Sequence, residues 1–249
     1  MKIVGFLKES FQDWDAGLSS VVFTSDCNFN CPSCYASELR TNSIYSDKKV
    51  LNYLGYRKKR VPRVVLCGGE PTCQWDIVNF IIELKKQGLA VKLDTNGSDP
   101  SVLCELRDKK LVDYVAMDVK GPPTLYSKVV GKHIDLRDDV EKGMMVVTQF
   151  PDYEFRTTIV PIVRDGGEIS WMTVEELKDT LNYIIDITGC NTHKYFLQPF
   201  TAREREKMID FRFSKEGLPI YMHQTPYDLL IQMKDSVKDF FQNVEIRGG

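Results

Sequence analysis

Hydrophobic and polar positions follow two different patterns along this chain. Six short runs are almost continuously apolar and rich in β-branched residues, which is typical of parallel strands covered on both faces. Between and after them, apolar residues recur at the helical period. The strand-like runs are 18–24, 64–67, 90–94, 114–118, 155–160 and 195–197, and the helix-like stretches are 76–84, 100–108, 136–147, 173–187 and 226–241. This alternation predicts repeated βαβ units and a parallel sheet.

Residues at the ends of two predicted helices support these assignments. Lys85, Lys86 and Gly88 follow the stretch 76–84, and cations followed by a glycine favour a helix C-terminus. Thr173, with Glu176 three residues later, has the spacing of a capping box at a helix N-terminus. The sequence therefore predicts where one helix ends and where another begins.

Six predicted strands are too few for a closed eight-stranded barrel. We therefore expect an α/β fold built as a partial, open (βα)6 TIM-like barrel. No linker-like or repetitive segment interrupts the chain, so we expect a single domain over residues 1–249 with its core at about 18–200. Residues 201–249 form a C-terminal extension of undefined role, in which 211–222 could supply one more strand or an extended lid.

Composition narrows the class of protein. The 249 residues are 43% hydrophobic and 27% charged, with 33 Lys and Arg against 35 Asp and Glu, which gives a net charge of −2. This balance argues against a general nucleic-acid binder, whose phosphate contacts need an excess of basic residues. No apolar run approaches a membrane span and no signal peptide is evident, so we expect a cytoplasmic protein. In that reducing compartment, the seven cysteines are expected to be ligands, catalysts or core residues.

Three cysteines stand together directly after the first predicted strand. Cys27, Cys31 and Cys34 fall within eight residues. Disulfides need pairs of cysteines, so pairing within this group would leave one cysteine over. Three thiolates suit a cubane iron–sulfur cluster that leaves one iron open to a small molecule. A zinc site completed by Cys67 or Cys73, or chance clustering, remains an alternative, because structural zinc normally takes four protein ligands.

Polar residues also follow the next predicted strands. The second run ends in Gly68-Gly69-Glu70, the third in 94–97 (Asp-Thr-Asn-Gly) and the fourth in 118–121 (Asp-Val-Lys-Gly). Glycines at a strand end allow close approach of a ligand to the backbone. Since parallel strands present their carboxyl ends at one edge of the sheet, these residues predict a polar site at one mouth of the barrel.

The cysteine spacing C-x-x-x-C-x-x-C followed by an aromatic residue, here Tyr35, resembles the signature of the radical S-adenosylmethionine (SAM) superfamily. The resemblance implies the radical SAM type of partial barrel. It also implies a 4Fe–4S cluster held by the three cysteines and completed by the amino and carboxylate groups of SAM. By the same resemblance, Gly68, Gly69 and Glu70 would meet the SAM ammonium.

The short motifs at these strand ends, residues 68–70, 94–97 and 118–121, are similar to those of glycyl-radical-enzyme activases, especially the activators of pyruvate formate-lyase and of anaerobic ribonucleotide reductase. The resemblance implies that Asp94, Thr95 and Asp118 are ligands of a monovalent cation, that Lys120 faces the SAM carboxylate and that Arg156 lies near that carboxylate or the ribose. Tyr35, Asp94, Asn96 and Asp118 complete the implied SAM-binding set. The leader, residues 6–24, is similar to that of the shorter activators of anaerobic ribonucleoside-triphosphate reductase.

The implied reaction is reductive cleavage of SAM to a 5′-deoxyadenosyl radical, followed by hydrogen abstraction from a glycine of a partner enzyme. The implied partners are a glycyl radical enzyme, in particular anaerobic ribonucleotide reductase, and a flavodoxin- or ferredoxin-type reductant. Departures from the activase pattern are Asp26, Cys67 and the Tyr35 that replaces a common His. Two alternatives stay open: a radical SAM enzyme acting on a small molecule, such as 7-carboxy-7-deazaguanine synthase, and a non-catalytic metal-binding module.

Overall fold

A computed structural model describes residues 1–15, 17–35 and 44–247 of the chain. The fold is α/β, and all six predicted strands are present. The chain divides into two compact units. The first comprises the described residues of 1–28, 44–117 and 145–153, and the second comprises the described residues of 29–35, 118–144 and 154–247.

The first unit is built on an open sheet in the order β1-β2-β3-β4-β5. Strand β1 pairs antiparallel with β2, and the pairs that follow are parallel. The strands are β1 (Ile3–Ser10), β2 (Ser19–Thr24), β3 (Arg63–Gly68), β4 (Ala90–Thr95) and β5 (Tyr114–Asp118), and the helices are α1 (Asp47–Arg57), α2 (Ile77–Lys86) and α3 (Pro100–Asp108). Consecutive residues Val64, Val65 and Leu66 of β3 are fully buried, so both faces of the strand are covered, as the apolar runs predict.

The second unit contains three parallel strands in the order β6-β9-β10 and a two-stranded antiparallel hairpin, β7-β8. The strands are β6 (Tyr153–Ile159), β7 (Pro161–Val163), β8 (Ile169–Trp171), β9 (Tyr195–Pro199) and β10 (Val244–Ile246), and the helices are α4 (Pro123–Val130), α6 (Val174–Thr188) and α7 (Tyr227–Val237). Helix α5 (Lys142–Val147) begins in the second unit and ends in the first. Tyr153, the first residue of β6, belongs to the first unit, and Asp118, the last of β5, to the second.

The C-terminal extension departs from one expectation. Residues 211–222 add no strand; they form short 3-10 turns at Phe211–Phe213 and Ile220–Met222. Gly217 and Pro219 separate the turns, and proline cannot donate the backbone hydrogen bond that a strand needs. The additional strand of this extension is instead β10, which pairs with β9.

The predicted helix ends are confirmed. Thr173 and Glu176 form both hydrogen bonds of a capping box at the start of α6. Lys85 and Lys86 lie in the last turn of α2, and Gly88 takes the left-handed φ of +77° that ends it. The stretch 136–147 contains a short π-helix at Leu136–Glu141 that continues into α5. Within the described ranges, no helix has the length and apolar character needed to cross a membrane.

Candidate active site

The loop that follows β2 carries the three cysteines. Cys27 belongs to the first unit, and Cys31 and Cys34 to the second, where Cys34 N–H donates to the Cys31 carbonyl at 3.0 Å. All three are half-buried, and none forms a disulfide with another described residue. The cysteines thus lie on one tight loop at the carboxyl end of a strand, where the sequence predicts them.

The first part of the loop is held by the end of β3. Gly69 N–H donates to the Thr24 carbonyl at 2.9 Å, and Glu70 N–H donates to the Asp26 carbonyl at 2.8 Å. A Cβ on Gly69 would lie 1.8 Å from the Asp26 oxygen, and one on Gly68, whose φ is +115°, would lie 2.6 Å from Thr24 nitrogen. The backbone at the start of the cysteine loop therefore occupies the space that the missing side chains of these glycines leave.

The second part of the loop is held within the second unit. Asn30 N–H donates to the Val130 carbonyl at 2.9 Å. From the C-terminal extension, Ile209 N–H donates to the Cys34 carbonyl at 3.0 Å and Asp210 N–H donates to the Pro32 carbonyl at 3.3 Å. The extension therefore fixes the backbone between the last two cysteines. It also lines a cavity of about 370 Å³ beside the loop, together with Asn30, Pro32 and Gly131.

Glu70 is the buried centre of the first unit's polar residues, with 1% of its surface exposed. Its Oε1 accepts from Thr72 N–H at 3.1 Å and from the hydroxyls of Thr72 and Thr95, each at 2.7 Å. Its Oε2 accepts from Asn96 N–H at 2.7 Å. Burial raises the pKa of the Glu70 carboxyl, although these hydrogen bonds oppose the shift. Glu70 therefore joins the end of β3 to the end of β4 through internal hydrogen bonds.

Asp118, Lys120 and Arg156 form an ion-paired group in the second unit. Asp118 Oδ2 lies 2.9 Å from Lys120 Nζ, and its Oδ1 accepts from Arg156 Nε. Burial would raise the pKa of Asp118, but the two cations outweigh it and lower the pKa to about 2. Burial alone would lower the pKa of Lys120, but Asp118 raises it. One carboxylate beside two cations leaves a net positive charge, which suits a carboxylate ligand.

Tyr126, on α4, is a further polar residue of the second unit. Its side chain is fully buried, and its hydroxyl has no hydrogen-bond partner of good geometry among the described residues. Burial raises the pKa of this phenol, against the influence of the nearby Lys120 backbone, and Cys31 lies close enough to raise it further. A buried hydroxyl near Lys120 fits a site that receives a polar ligand, because an unsatisfied buried polar group is otherwise costly.

The residues expected to bind a monovalent cation have partners of their own. Asp94 Oδ1 lies 3.5 Å from Nζ of the buried Lys92, which is on the same face of β4, and Thr95 donates to Glu70. Asp118 pairs with Lys120 and Arg156. Across residues 1–15, 17–35 and 44–247, no three His, Cys, Asp or Glu side chains stand together as they do around a metal ion. Asp94, Thr95 and Asp118 as cation ligands, and the three thiols as cluster ligands, therefore stay predictions.

Tyr35 lies at the exposed end of the cysteine loop. Its side chain is 62% exposed, and the Arg203 guanidinium lies 5.6 Å from the centre of its ring. Asn96 lies beside Cys27, with its amide nitrogen 3.9 Å from the sulfur. The implied SAM-binding role of both residues stays a prediction. The structure adds three residues that the sequence did not indicate, namely Tyr126, Ile209 and Asp210. Tyr126 is notable for its burial, and Ile209 and Asp210 for their backbone hydrogen bonds. No sequence motif encodes either property.

An α/β fold with a three-cysteine loop after its first parallel strand belongs to the class of proteins suited to hold an iron–sulfur cluster. The family model for the radical SAM superfamily matches residues 21–212. This chain belongs to the radical SAM superfamily, and it has that family's partial, open (βα)6 barrel. Its cofactors are a 4Fe–4S cluster and SAM, and the three thiols and the cationic group beside Asp118 fit them chemically.

Individual relatives support the family assignment. A protein of Methanocaldococcus jannaschii with the provisional name glycyl-radical enzyme activating enzyme is 30% identical over 98% of this chain and 95% of its own length. The 7-carboxy-7-deazaguanine synthase of Rhodopirellula baltica is 36% identical over 36% of each chain. Among solved structures, Streptococcus suis SuiB bound to the precursor peptide SuiA has a TM-score of 0.67 at 15% identity, covering 92% of this chain and 48% of SuiB. This last likeness concerns the fold alone.

Proposed function

We propose that this radical SAM enzyme activates a glycyl radical enzyme by removing a hydrogen atom from the Cα of one glycine. The observation that carries the proposal is the similarity to the M. jannaschii protein, which extends over 98% of this chain. The similarity to 7-carboxy-7-deazaguanine synthase covers 36% of this chain. A relative that matches the whole length is the better guide to the reaction, because substrate binding uses residues outside the shared core.

A 4Fe–4S cluster and SAM, when bound, would supply the electron and the 5′-deoxyadenosyl group for abstraction of a hydrogen atom from the glycine Cα, with methionine, 5′-deoxyadenosine and a glycyl radical as the products. A flavodoxin- or ferredoxin-type reductant supplies the one electron that each cleavage of SAM consumes. We assign the cluster to Cys27, Cys31 and Cys34, and the SAM carboxylate to Lys120 and Arg156.

The protein's own residues have separate roles in this proposal. Glu70 orders the ends of β3 and β4, because its carboxylate accepts hydrogen bonds from both. Asp118 holds Lys120 and Arg156 charged and oriented, and the remaining positive charge attracts the SAM carboxylate. The Tyr126 hydroxyl is available to a polar atom of the ligand.

An exposed surface around Phe211, beside the cysteine loop, supports a protein substrate. Phe211 is 55% exposed and lines the cavity together with Asn30 and Pro32. The Arg205 guanidinium lies 5.2 Å from the centre of the Phe211 ring. Tyrosine, arginine and other large side chains dominate the binding energy of protein interfaces. We infer that the partner enzyme docks on this surface, and that its class includes anaerobic ribonucleotide reductase, whose activators have a similar leader.

The first test is anaerobic cleavage of SAM. The protein is loaded with iron and sulfide, reduced with dithionite and mixed with SAM, and 5′-deoxyadenosine is measured by chromatography. We expect product from the native chain and none from the variant with Cys27, Cys31 and Cys34 replaced by Ala. The matched control replaces Cys104 and Cys190, which lie outside the loop, and should retain activity. If the native protein carries a full complement of iron and sulfide but forms no 5′-deoxyadenosine, the proposed SAM-cleaving activity is excluded.

The second test addresses the substrate. Purified anaerobic ribonucleotide reductase, or another glycyl radical enzyme, is added to the loaded protein, and electron paramagnetic resonance is used to detect a glycyl radical. A radical on the partner in stoichiometric relation to 5′-deoxyadenosine is the expected result. Cleavage of SAM that requires a small heterocyclic substrate, with no radical on any partner protein, would replace this proposal with the small-molecule reaction.

A further inference from the structure

Asn96 is held in a single position at the end of β4. Its backbone N–H donates to Glu70 Oε2 at 2.7 Å, and only 6% of the residue is exposed. Gly97, which follows it, has a left-handed φ of +75° that turns the chain back toward Ser98. The backbone of Asn96 is therefore fixed by a buried carboxylate on one side and a tight turn on the other.

The orientation of the Asn96 amide is also determined. Ser98 N–H donates to Asn96 Oδ1 at 2.9 Å, and the Ser98 hydroxyl donates to the same oxygen at 2.6 Å. A backbone N–H is only a donor, so the oxygen of the amide must face Ser98. The nitrogen, Nδ2, must then face the opposite side, toward the cysteine loop.

Both hydrogens of this nitrogen point at loop residues. Nδ2 donates to Asn28 Oδ1 at 2.9 Å and lies 3.9 Å from Cys27 Sγ. Asn28 Nδ2 in turn donates to the Ser98 hydroxyl at 2.6 Å, which closes a ring of hydrogen bonds through three side chains. The ring keeps Asn28 and Asn96 in place, and it directs one amide N–H at the sulfur of Cys27.

We propose that Asn96 is a redox-tuning residue, whose side-chain N–H donates to the Cys27 thiolate and raises the reduction potential of the cluster. This inference rests on the proposed function, since it requires Cys27 to bind the cluster. Hydrogen bonds to the sulfurs are one of the main determinants of iron–sulfur potentials. A reduced cluster carries one more negative charge than an oxidised one, so a donor stabilises the reduced state more. Low exposure strengthens the effect, because little water competes for the sulfur.

The experiment compares reduction potentials in reconstituted holoenzymes. Asn96→Asp keeps the acceptor that faces Ser98 and replaces the donor with a carboxylate oxygen, and Asn96→Ala removes the amide. We expect the reduction equilibrium of each to fall at least tenfold, which is about 59 mV for a one-electron couple. Asn79→Asp and Asn79→Ala make the same changes on an exposed position of α2 and should leave the potential unchanged.

A second measurement detects the hydrogen bond directly. The native protein and the loaded Asn96 and Asn79 variants are labelled with ¹⁵N-asparagine, and pulsed electron paramagnetic resonance is recorded on the reduced cluster. A ¹⁵N coupling that is present in the native protein and in Asn79→Ala but is lost in Asn96→Ala or Asn96→Asp supports the inference. Equal potentials in the loaded variants, or no ¹⁵N coupling in the native protein, would overturn it. If the native protein still cleaves SAM, only the role of Asn96 fails; if it binds no cluster, the proposed function fails as well.

Discussion

Glu70 Oε2 accepts the backbone N–H of Asn96 at 2.7 Å, across 26 residues of sequence. This hydrogen bond joins a carboxylate at the end of β3 to the loop that follows β4, and that loop in turn contacts Cys27. The residues Gly68, Gly69 and Glu70 therefore have a structural role: they hold together the loops that follow β2, β3 and β4.

Glu70→Gln should destabilise the protein by about 1–3 kcal/mol, the cost of an unsatisfied buried polar group. Its amide nitrogen would face the backbone N–H of Asn96 or that of Thr72, and two N–H groups cannot pair because each is only a donor. Urea unfolding of the cluster-free protein measures the change. Glu83→Gln, on the exposed side of α2, is the matched control and should change stability by less than about 0.5 kcal/mol. Equal effects at the two positions would contradict the role given to Glu70.

Gly69→Ala should reduce both stability and iron loading. The new Cβ would lie 1.8 Å from the carbonyl oxygen of Asp26, so the loop that begins the cysteine motif must move. Overpacking of this kind costs about 1–3 kcal/mol. Urea unfolding and iron content are measured in parallel with Gly166→Ala, where the nearest atom is the flexible carboxylate of Glu168. Normal iron content in Gly69→Ala would show that the contact does not shape the loop.

Stability should fall in acid through Asp118. Its folded pKa of about 2 is below the ordinary value of 3.8, so its contribution is complete above about pH 4 and is lost as the pH falls toward 2. The shift corresponds to about 2 kcal/mol. In Asp118→Asn, the free energy of unfolding should be lower at pH 6 by about this amount, and the difference from native should shrink between pH 4 and pH 2.

The control for this pH dependence is Asp179→Asn, an exposed position on α6. Its difference from the native protein should be small throughout the same pH range, because an exposed carboxylate contributes little. Urea unfolding at each pH supplies the free energies. A constant difference between Asp118→Asn and the native protein from pH 6 to pH 2 would contradict the assigned ion pairs.

Ile209→Pro should weaken retention of the cluster. Proline removes the N–H that donates to the Cys34 carbonyl, and the extended backbone of Met208, with ψ of 143°, suits a residue before proline. Ile209→Ala keeps the N–H and is the matched control. Loss of iron to a chelator is followed anaerobically by absorbance, and we expect at least a severalfold faster loss in the proline variant only. Equal rates in both variants would contradict the role assigned to this hydrogen bond.

The sequence by itself determined the local features of this protein. Continuous apolar runs located six of the parallel strands, because a strand buried on both faces has no polar alternation. The Thr173–Glu176 spacing located the start of α6, and Cys27, Cys31 and Cys34 identified the family, since both signals lie within a few residues of chain. Local spacing carries this information without any knowledge of the fold.

Only the tertiary structure decided which of these residues meet. Cys27 contacts Asn96, 69 residues away, and Cys34 is held by Ile209 from an extension to which the sequence assigned no role. The physical reason is that such contacts depend on strand register and on the paths of loops, which are set when distant segments pack together.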